Sequence, residues 1–223
     1  MLILGVDSSG KNGSIALVQC EADVSRVLDV IPLNGGAFSA QLVPQVSSLL
    51  QKQGFTKQQI DAFAVVSGPG SFTGLRVGLA VVKALAEILQ QPIAAVSLLH
   101  AIGLAAPTDG RVIAALDAGR GEIYAGIYDL ANRQAACVSE RLLTLTEFLA
   151  EAVGHSVATP DQKIAGAVKA AGITLYAVSL PQADVIARLG FEKIRAGETV
   201  TPEALDATYI RRTDAELRLS TTL

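Results

Sequence analysis

A glycine-rich loop is the part of this sequence whose residue types could do chemistry. It reads GPGSFTG, from Gly68 to Gly74, between a strand-like apolar run and a long apolar segment. A loop that leaves a strand and enters a helix offers an anion free backbone N–H groups and the positive end of the helix dipole. Gly68 and Gly70 would allow close approach of a phosphate, and Ser71 could donate a hydrogen bond to it. The same residues also suit a structural turn in which Ser71 or Thr73 caps the helix, so both interpretations stay open.

The loop matches neither of two common phosphate-binding patterns. A Walker A loop has the pattern GxxxxGK[ST], but Leu75 and Arg76 follow Gly74 here. In the dinucleotide pattern GxGxxG the third glycine would stand one position earlier than Gly74. The pattern alone therefore does not assign a nucleotide to the loop.

Two aspartates at the ends of similar apolar runs could add a metal ion. Asp7 ends LILGVD and Asp117 ends RVIAALD, and each is followed by small residues and a glycine that opens another strand. With Ser8 and Ser9 beside the first and Arg120 beside the second, these carboxylates could hold Mg²⁺ and nucleotide phosphates. The alternative is that each aspartate forms an Asx turn and that Arg120 is a solvated loop residue.

The residues that catalysis or a metal centre would require are not arranged for it. The two histidines, His100 and His155, are far apart in sequence and form no HxxxH or HExxH pair. No GxSxG elbow is present, and no base pairs with Ser71. We therefore predict no catalytic residue, no metal site and no required cofactor, with at most weak binding of ATP or ADP with Mg²⁺.

Composition limits the classes of function and the location. The chain has 223 residues, of which 50% are hydrophobic, and a net charge of -3. That balance suits one large or two small domains, and it indicates that any contact with nucleic acid needs a partner. The two cysteines form no CxxC pair, and the N-terminus reaches Asp7 too soon for a signal peptide. Polar and charged residues interrupt the apolar stretches before they reach the length of a membrane span. We expect a cytoplasmic protein without membrane contact.

Alternating strand and helix patterns predict an α/β fold. The predicted strands are Leu2–Asp7, Gly13–Gln19, Val24–Ile31, Asp61–Ser67 and Ile93–Ser97, and the predicted helices are Ala40–Gln53, Gly74–Gln90 and Gln182–Arg195. Pro44 would be tolerated only near the first turn of its helix, and QKIAGAVKAAGI is interpreted as a strand entering a helix. The similarity of the two Asp–Gly hairpins favours internal duplication, with lobes at 1–106 and 107–223, over two unrelated hairpins.

The helix predicted at Gly74–Gln90 is apolar nearly all round. A surface helix has one apolar face, so this one must be covered by the second lobe or by another molecule. We favour a partner surface shared with the helix at Ala40–Gln53, and expect the chain alone to form a reversible homodimer through it. The predicted interface residues are Leu42, Val46, Leu50, Leu75, Val77, Gly78, Val81, Leu85 and Ile88.

Four motifs give the chain a resemblance to the TsaB family, formerly YeaZ. They are DSS after the first strand, GPGSFTGLRVG, DAGRGEIY and ATYIRRTDAEL, and the resemblance runs from residue 2 to about 218. It implies an actin-like (ASKHA) fold of two ribonuclease H-like lobes, with the last segment returning to the first lobe. It also implies a non-catalytic partner of the TsaD transferase in forming threonylcarbamoyladenosine at the tRNA adenosine beside the anticodon. The ATPase TsaE joins that complex, and tRNA is reached only through it.

The family also implies that the two apolar helices bind TsaD, or a second copy in its absence. The alternative is an ATP-dependent phosphotransferase or ATPase of the sugar-kinase type, which shares the fold but usually needs a longer chain.

The chain departs from the family pattern at three places. Phe38 stands where many members have histidine, Gly119 separates Asp117–Ala118 from Arg120, and Ala207 replaces a proline. These departures weaken any direct transfer of nucleotide contacts from the family. Near the end, Arg211 and Arg212 could offer a positive spot to tRNA or to an acidic partner surface, or form an ordinary solvated pair.

Overall fold

A computed structural model describes residues 1–22, 24–34 and 37–210 of the chain. The predictions for Arg211 and Arg212 lie outside the described residues. The chain divides into two compact units. The first comprises Met1–Ala101 and Ser179–Ala207, and the second comprises Ile102–Val178 and the described residues from Thr208 onward.

The described residues form ten strands and six α-helices. The strands are β1 (Leu2–Asp7), β2 (Gly13–Glu21), β3 (Val24–Leu33), β4 (Ala62–Gly68), β5 (Ile93–Ser97), β6 (Gly110–Gly119), β7 (Glu122–Ala131), β8 (Gln134–Thr144), β9 (Ser156–Thr159) and β10 (Thr174–Ala177). The helices are α1 (Phe38–Lys52), α2 (Phe72–Leu89), α3 (Leu98–Leu104), α4 (Leu145–Glu151), α5 (Gln162–Ala170) and α6 (Ala183–Arg195), and a short 3₁₀ helix spans Lys57–Gln59.

Each unit contains one five-stranded mixed sheet, and the two sheets have the same plan. The first has the order β3-β2-β1-β4-β5 and the second has the order β8-β7-β6-β9-β10. In each sheet the first three strands form an antiparallel meander, and the last two run parallel to the central strand. This repeated order confirms the predicted α/β fold of two actin-like lobes related by internal duplication.

Helices cover both faces of the first sheet, which explains its continuous apolar strands. Every residue of β1 and β4 is buried, as expected for strands covered on both sides. Val6 faces α2, because a Cβ at Gly78 would lie 3.6 Å from its Cγ1. The neighbouring Gly5 points to the opposite face, towards the start of α6 at Ala183.

The helix α6 comes from the last part of the chain and docks closely on the first sheet. A Cβ at Gly5 would lie 2.1 Å from the carbonyl oxygen of Ala183, and one at Gly190 would lie 2.3 Å from the Cβ of Ala64. The backbone N–H of Ala183 donates to Ser14 Oγ at 2.9 Å. Glycine on both the sheet and the helix therefore sets the distance between them.

The predicted elements of the first unit agree with the structure to within two residues at each end. Two predictions need correction: the position of Pro44 in its helix, and the strand expected at the start of QKIAGAVKAAGI. The helix α1 begins at Phe38, so Pro44 lies in its second turn. The earlier start follows from burial of Phe38, and the proline ring lies on the exposed side of the helix. The segment from Gln162 to Ala170 is entirely helical, because Asp161 caps its first turn. No helix in the described part of the chain has the length and apolarity that a membrane span requires.

We predict that Gly5→Ala destabilises the first unit by about 1–3 kcal/mol or more, because the added methyl group would overlap the Ala183 carbonyl. Urea unfolding followed by circular dichroism measures the change. The matched control is Gly166→Ala on α5, where a Cβ meets nothing within 4 Å. Equal stability of the two variants would contradict the close docking of α6.

Candidate functional site

The turn after β1 buries the carboxylate that was a candidate metal ligand. Asp7, Ser8 and Ser9 are only 3%, 2% and 3% exposed. Asp7 Oδ1 accepts hydrogen bonds from the backbone N–H of Ser9 at 2.9 Å and from Ser9 Oγ at 2.6 Å. Burial raises the pKa of Asp7, and the two hydrogen bonds from Ser9 oppose that shift in part. The arrangement is the Asx turn that was the alternative to a magnesium site.

The glycine loop is hydrogen-bonded to this turn. The backbone N–H of Ser71 donates to the carbonyl oxygen of Ser9 at 2.6 Å. Ser8 Oγ donates to the carbonyl oxygen of Gly74 at 2.8 Å, and Ser71 Oγ caps α2 by accepting from the N–H of Gly74 at 3.4 Å. Gly68 ends β4 with φ 155 and precedes a cis peptide bond to Pro69. Through these hydrogen bonds the loop connects the end of β4 and the start of α2 to the turn after β1.

The glycines admit the protein's own backbone in the space proposed for a phosphate. A Cβ at Gly70 would lie 2.5 Å from the carbonyl oxygen of Ser9, and one at Gly74 would lie 2.1 Å from that of Ser8. One at Gly78, a turn further along α2, would lie 2.3 Å from Ser8 Oγ. At Gly70 and Gly74 the contacted atom belongs to the backbone, so no side chain is tolerated there, whereas at Gly78 it is a side-chain oxygen. Packing inside the first unit thus explains Gly70 and Gly74 of the loop.

The equivalent turn of the second unit is open and uses different residues. Asp117 is exposed, and its Oδ1 accepts from the backbone N–H of Gly119 at 2.8 Å. Gly119, Arg120 and Gly121 have φ values of 74, 57 and 80, and the β6–β7 ladder shifts register between Asp117 and Gly119. The irregularity coincides with the DAGR sequence. Asp117 is the second Asx turn, and Arg120 lies in the same turn.

The start of α5 already carries a carboxylate. Asp161 Oδ1 accepts from the backbone N–H groups of Lys163 at 2.8 Å and Ile164 at 3.1 Å. Beside it, a pocket of about 90 Å³ is lined by Asp117, Lys163, Ile164 and neighbouring residues. Small-molecule pockets typically measure roughly 300–1,000 Å³. This helix N-terminus is therefore capped from within, and the pocket is small for a nucleotide.

These contacts test whether the residues fit the Mg²⁺–nucleotide that the fold family implies. In the first unit the structure brings together Asp7, Ser8, Ser9, Gly70 and Ser71, but their polar groups bond to one another and to Gly74. Asp117 and Arg120 belong to the second unit. Within residues 1–22, 24–34 and 37–210, no group of three His, Cys, Asp or Glu residues is placed to hold a metal ion. Within the first unit, these side chains and loop N–H groups are engaged in the fold and do not form an open cradle for a phosphate.

The predicted interface residues divide into two groups, and the first requires a correction. Leu42, Val46, Leu50, Leu75 and Gly78 are buried within the first unit itself, because α1 and α2 pack on the sheet and on each other. They are therefore core residues and not available for direct contact with a partner. Val77, Val81 and Leu85 are half-buried, and Ile88 is 71% exposed.

The outward surface of these helices is apolar and small-sided. We call it the α1–α2 face, defined by Val43, Phe72, Val77, Ala80, Val81, Ala84 and Ile88. The helical period of α2 separates its apolar residues into two stripes, and the one containing Val77, Val81, Ala84 and Ile88 faces outward. Phe72 was missed because the helix begins two residues earlier than predicted.

Few charges interrupt the α1–α2 face. The helix α1 has no charged residue before Lys52, and α2 has only Arg76, Lys83 and Glu87. The guanidinium of Arg76 lies 3.8 Å from the centre of the Phe72 ring, so it covers apolar surface as well as carrying charge. Apolar surface with so few charges is typical of protein–protein contacts.

Comparison with known proteins identifies the family. The family model described as "TsaD: tRNA N6-adenosine threonylcarbamoyltransferase" matches residues 33–205. A Bacillus subtilis relative named "tRNA threonylcarbamoyladenosine biosynthesis protein TsaB" is 30% identical, over 98% of this chain and 97% of its own length. This chain belongs to the TsaB (YeaZ) family. The Escherichia coli protein of the same name is 29% identical over 98% of each chain. The structure of YeaZ from Pseudomonas aeruginosa has a TM-score of 0.74 at 28% identity, over 93% of this chain and 100% of that one.

The structure shows the surroundings of two departures from the TsaB pattern, Phe38 and Ala207. Phe38 is buried, and its Cε1 would lie 3.0 Å from a Cβ at Gly13, which in turn would lie 2.5 Å from the carbonyl oxygen of Asp7. An apolar ring thus stands near the Asp7 turn, where many family members have histidine. At Ala207 the backbone N–H donates to Asp206 Oδ1 at 2.7 Å, a bond that proline could not make.

We predict that Asp7→Asn removes part of the pH dependence of stability. Asparagine keeps an oxygen acceptor for Ser9, whereas aspartate has a pKa raised by burial above its ordinary 3.8. As the pH rises from that ordinary value through the raised folded value, the wild type loses stability, because only its unfolded state is ionised. The variant should lack this loss and gain stability relative to the wild type at neutral pH. Urea unfolding at a series of pH values measures it, and parallel curves for the two proteins would contradict it.

Proposed function

We propose that this chain is a non-catalytic partner of a TsaD transferase in the formation of threonylcarbamoyladenosine at the tRNA adenosine beside the anticodon. The relatives' names support a role in that biosynthesis. The observation that carries the partner role is the α1–α2 face, which presents an apolar, nearly uncharged surface on two packed helices. The protein acts by binding, and the chemistry belongs to the partner.

The Asp7 turn and the glycine loop, where a nucleotide site was considered, support a role in binding a partner protein over an enzymatic role. The Asp7 carboxylate is buried and bonded to Ser9, and the loop glycines contact the protein's own backbone. A transferred phosphoryl group requires positioned donors and metal ligands that face the substrate. Here those groups stabilise the fold, so the sugar-kinase type of activity is not favoured. Binding of ATP or ADP with Mg²⁺, where it occurs, is weak.

The choice of TsaD as occupant follows from the likeness of the two chains. The TsaD family model matches residues 33–205, which include both α1 and α2. A TsaD chain therefore carries counterparts of these helices, and two similar helix pairs can meet about a pseudo-twofold axis. Without TsaD, a second copy of this chain supplies the same surface and forms the homodimer. The TsaE ATPase joins the larger complex.

The remaining proposals concern tRNA and cellular location. With a net charge of -3 the chain lacks the basic field of an independent nucleic-acid binder, so tRNA is reached only through the complex. A tRNA-modifying complex of this kind works in the cytoplasm.

The strength of the self-pair can be bounded from the exposed side chains. Burying a large apolar side chain contributes roughly 1.5–3 kcal/mol, and a twofold contact uses every residue twice. Loss of translational and rotational freedom offsets much of this gain. We therefore expect dissociation of the homodimer in the micromolar range, and tighter binding to TsaD.

We predict that Val81→Glu and Ile88→Glu each weaken binding to a TsaD homologue and self-association by about 10- to 100-fold, because a buried unpaired charge is costly. Sedimentation velocity and calorimetry measure both equilibria. The control is Val153→Glu, at a valine of the second unit that is 69% exposed. Wild type that stays monomeric and ignores TsaD would refute the proposal, and unfolding of Val81→Glu would assign that residue to the core.

We predict that the isolated protein does not bind ATP or ADP with Mg²⁺ at micromolar nucleotide concentrations. We also predict that it does not hydrolyse ATP in the absence of partners. The physical reason is that Asp7 and the loop glycines are engaged within the first unit. Isothermal calorimetry and a phosphate-release assay measure the two quantities. Micromolar binding with steady turnover would instead favour the sugar-kinase type of enzyme.

A further inference from the structure

The Ser8 side chain contacts two successive turns of α2. Its Oγ donates to the carbonyl oxygen of Gly74 at 2.8 Å. The same oxygen lies where Gly78 leaves room, since a Cβ at that position would be 2.3 Å away. Ser8 is 2% exposed, so it touches no partner directly.

The contact determines how deeply α2 sits on the sheet. A Cβ at Gly74 would lie 2.1 Å from the carbonyl oxygen of Ser8, so helix and turn are closer than any residue with a side chain would allow. Val77 and Val81 lie on the outer side of the same helical turns, within the α1–α2 face. A shift of the helix away from Ser8 therefore displaces the face.

We propose that Ser8 is a positioning residue for the α1–α2 face. Its side chain fixes α2 relative to β1, and through α2 it sets the positions of Val77, Val81 and Ala84. This inference rests on the proposed function for the identity of the partner. It assigns the DSS turn a role in recognition without any contact to the partner or to a nucleotide.

The distances predict that Ser8→Ala suppresses the effect of one glycine substitution in α2 and not of another. In Gly78→Ala the new methyl group would meet Ser8 Oγ, and Ser8→Ala removes that atom and leaves the Ser8 Cβ at 3.5 Å, an ordinary contact. In Gly74→Ala the new methyl group would meet the Ser8 backbone oxygen at 2.1 Å, which Ser8→Ala leaves in place. Ser8→Ala should therefore rescue the first variant and not the second.

The experiment compares Ser8→Ala, Gly78→Ala, Gly74→Ala and the doubles Ser8→Ala/Gly78→Ala and Ser8→Ala/Gly74→Ala, with Gly166→Ala on α5 as control. Calorimetry measures the Kd for a TsaD homologue, sedimentation measures the Kd for self-association, and hydrogen exchange reports on α2. We expect Ser8→Ala to weaken binding by about threefold, the loss of one hydrogen bond, and Gly78→Ala to weaken it by about tenfold or more. The double variant should return to about the affinity of Ser8→Ala alone. Gly74→Ala should stay impaired in both backgrounds, and Gly166→Ala should bind like the wild type.

Failure to fold does not block the test. If Gly78→Ala unfolds, a folded and binding Ser8→Ala/Gly78→Ala supports the proposal. Wild-type affinity of Ser8→Ala or of Gly78→Ala overturns it, as does a double variant as impaired as Gly78→Ala. If the wild type ignores TsaD, the proposed function fails, whereas rescue in self-association and in hydrogen exchange at α2 still decides the role of Ser8.

Discussion

The contact between the turn after β1 and the start of α2 is the constraint on which the first unit depends. Three α2-side glycines, Gly70, Gly74 and Gly78, approach Ser8 and Ser9 at distances that exclude a Cβ. The hydrogen bonds from Ser8 Oγ and from the N–H of Ser71 close the same contact. Because β1 is the central strand and is buried on both faces, a helix fixed to its end is fixed to the whole sheet.

The opposite face of the sheet is fixed by the same physical means. The helix α6 approaches β1 at Gly5 and β4 through Gly190, and Ser14 Oγ accepts from its first N–H group. Glycine thus determines the packing distance on both sides of the sheet. In each case the gain is close packing and the cost is the greater conformational entropy of glycine in the unfolded chain.

Much of the fold was predictable because its signals are local. Continuous apolar runs marked the buried strands, and the repeated Asp–Gly hairpins marked the duplication that the two sheet orders confirm. The inward side of α2 was harder to predict, since a helix that is apolar nearly all round has no polar face to mark the outside. Gly74 and Gly78, four residues apart, were the signal for the inward side, and they lie on the same side as Leu75, Leu79 and Val82.

The role of the glycine loop could not be predicted from the sequence, because an anion and a backbone carbonyl both require the absence of a Cβ. The atoms that decide between them, those of Ser8 and Ser9, are more than 60 residues away from Gly74 in the chain. The Asx turns at Asp7 and Asp117, by contrast, depend on neighbours two residues away and were foreseen as an alternative. Long-range contacts are what a single sequence does not reveal.

The two units share a sheet topology but differ in the turn after the first strand and in the cap of the helix beside it. At the start of α5, Asp161 caps the helix with a carboxylate, and the neighbouring Asp117 turn remains exposed. At the start of α2, a serine cap and glycines allow the Asp7 turn to be buried against the helix. Closing the first turn engages Asp7 Oδ1 with Ser9 and gives α2 a fixed inner surface. A helix held so firmly from inside can carry Val81, Ala84 and Ile88 on its outside in a defined geometry, which is what specific recognition by a partner requires.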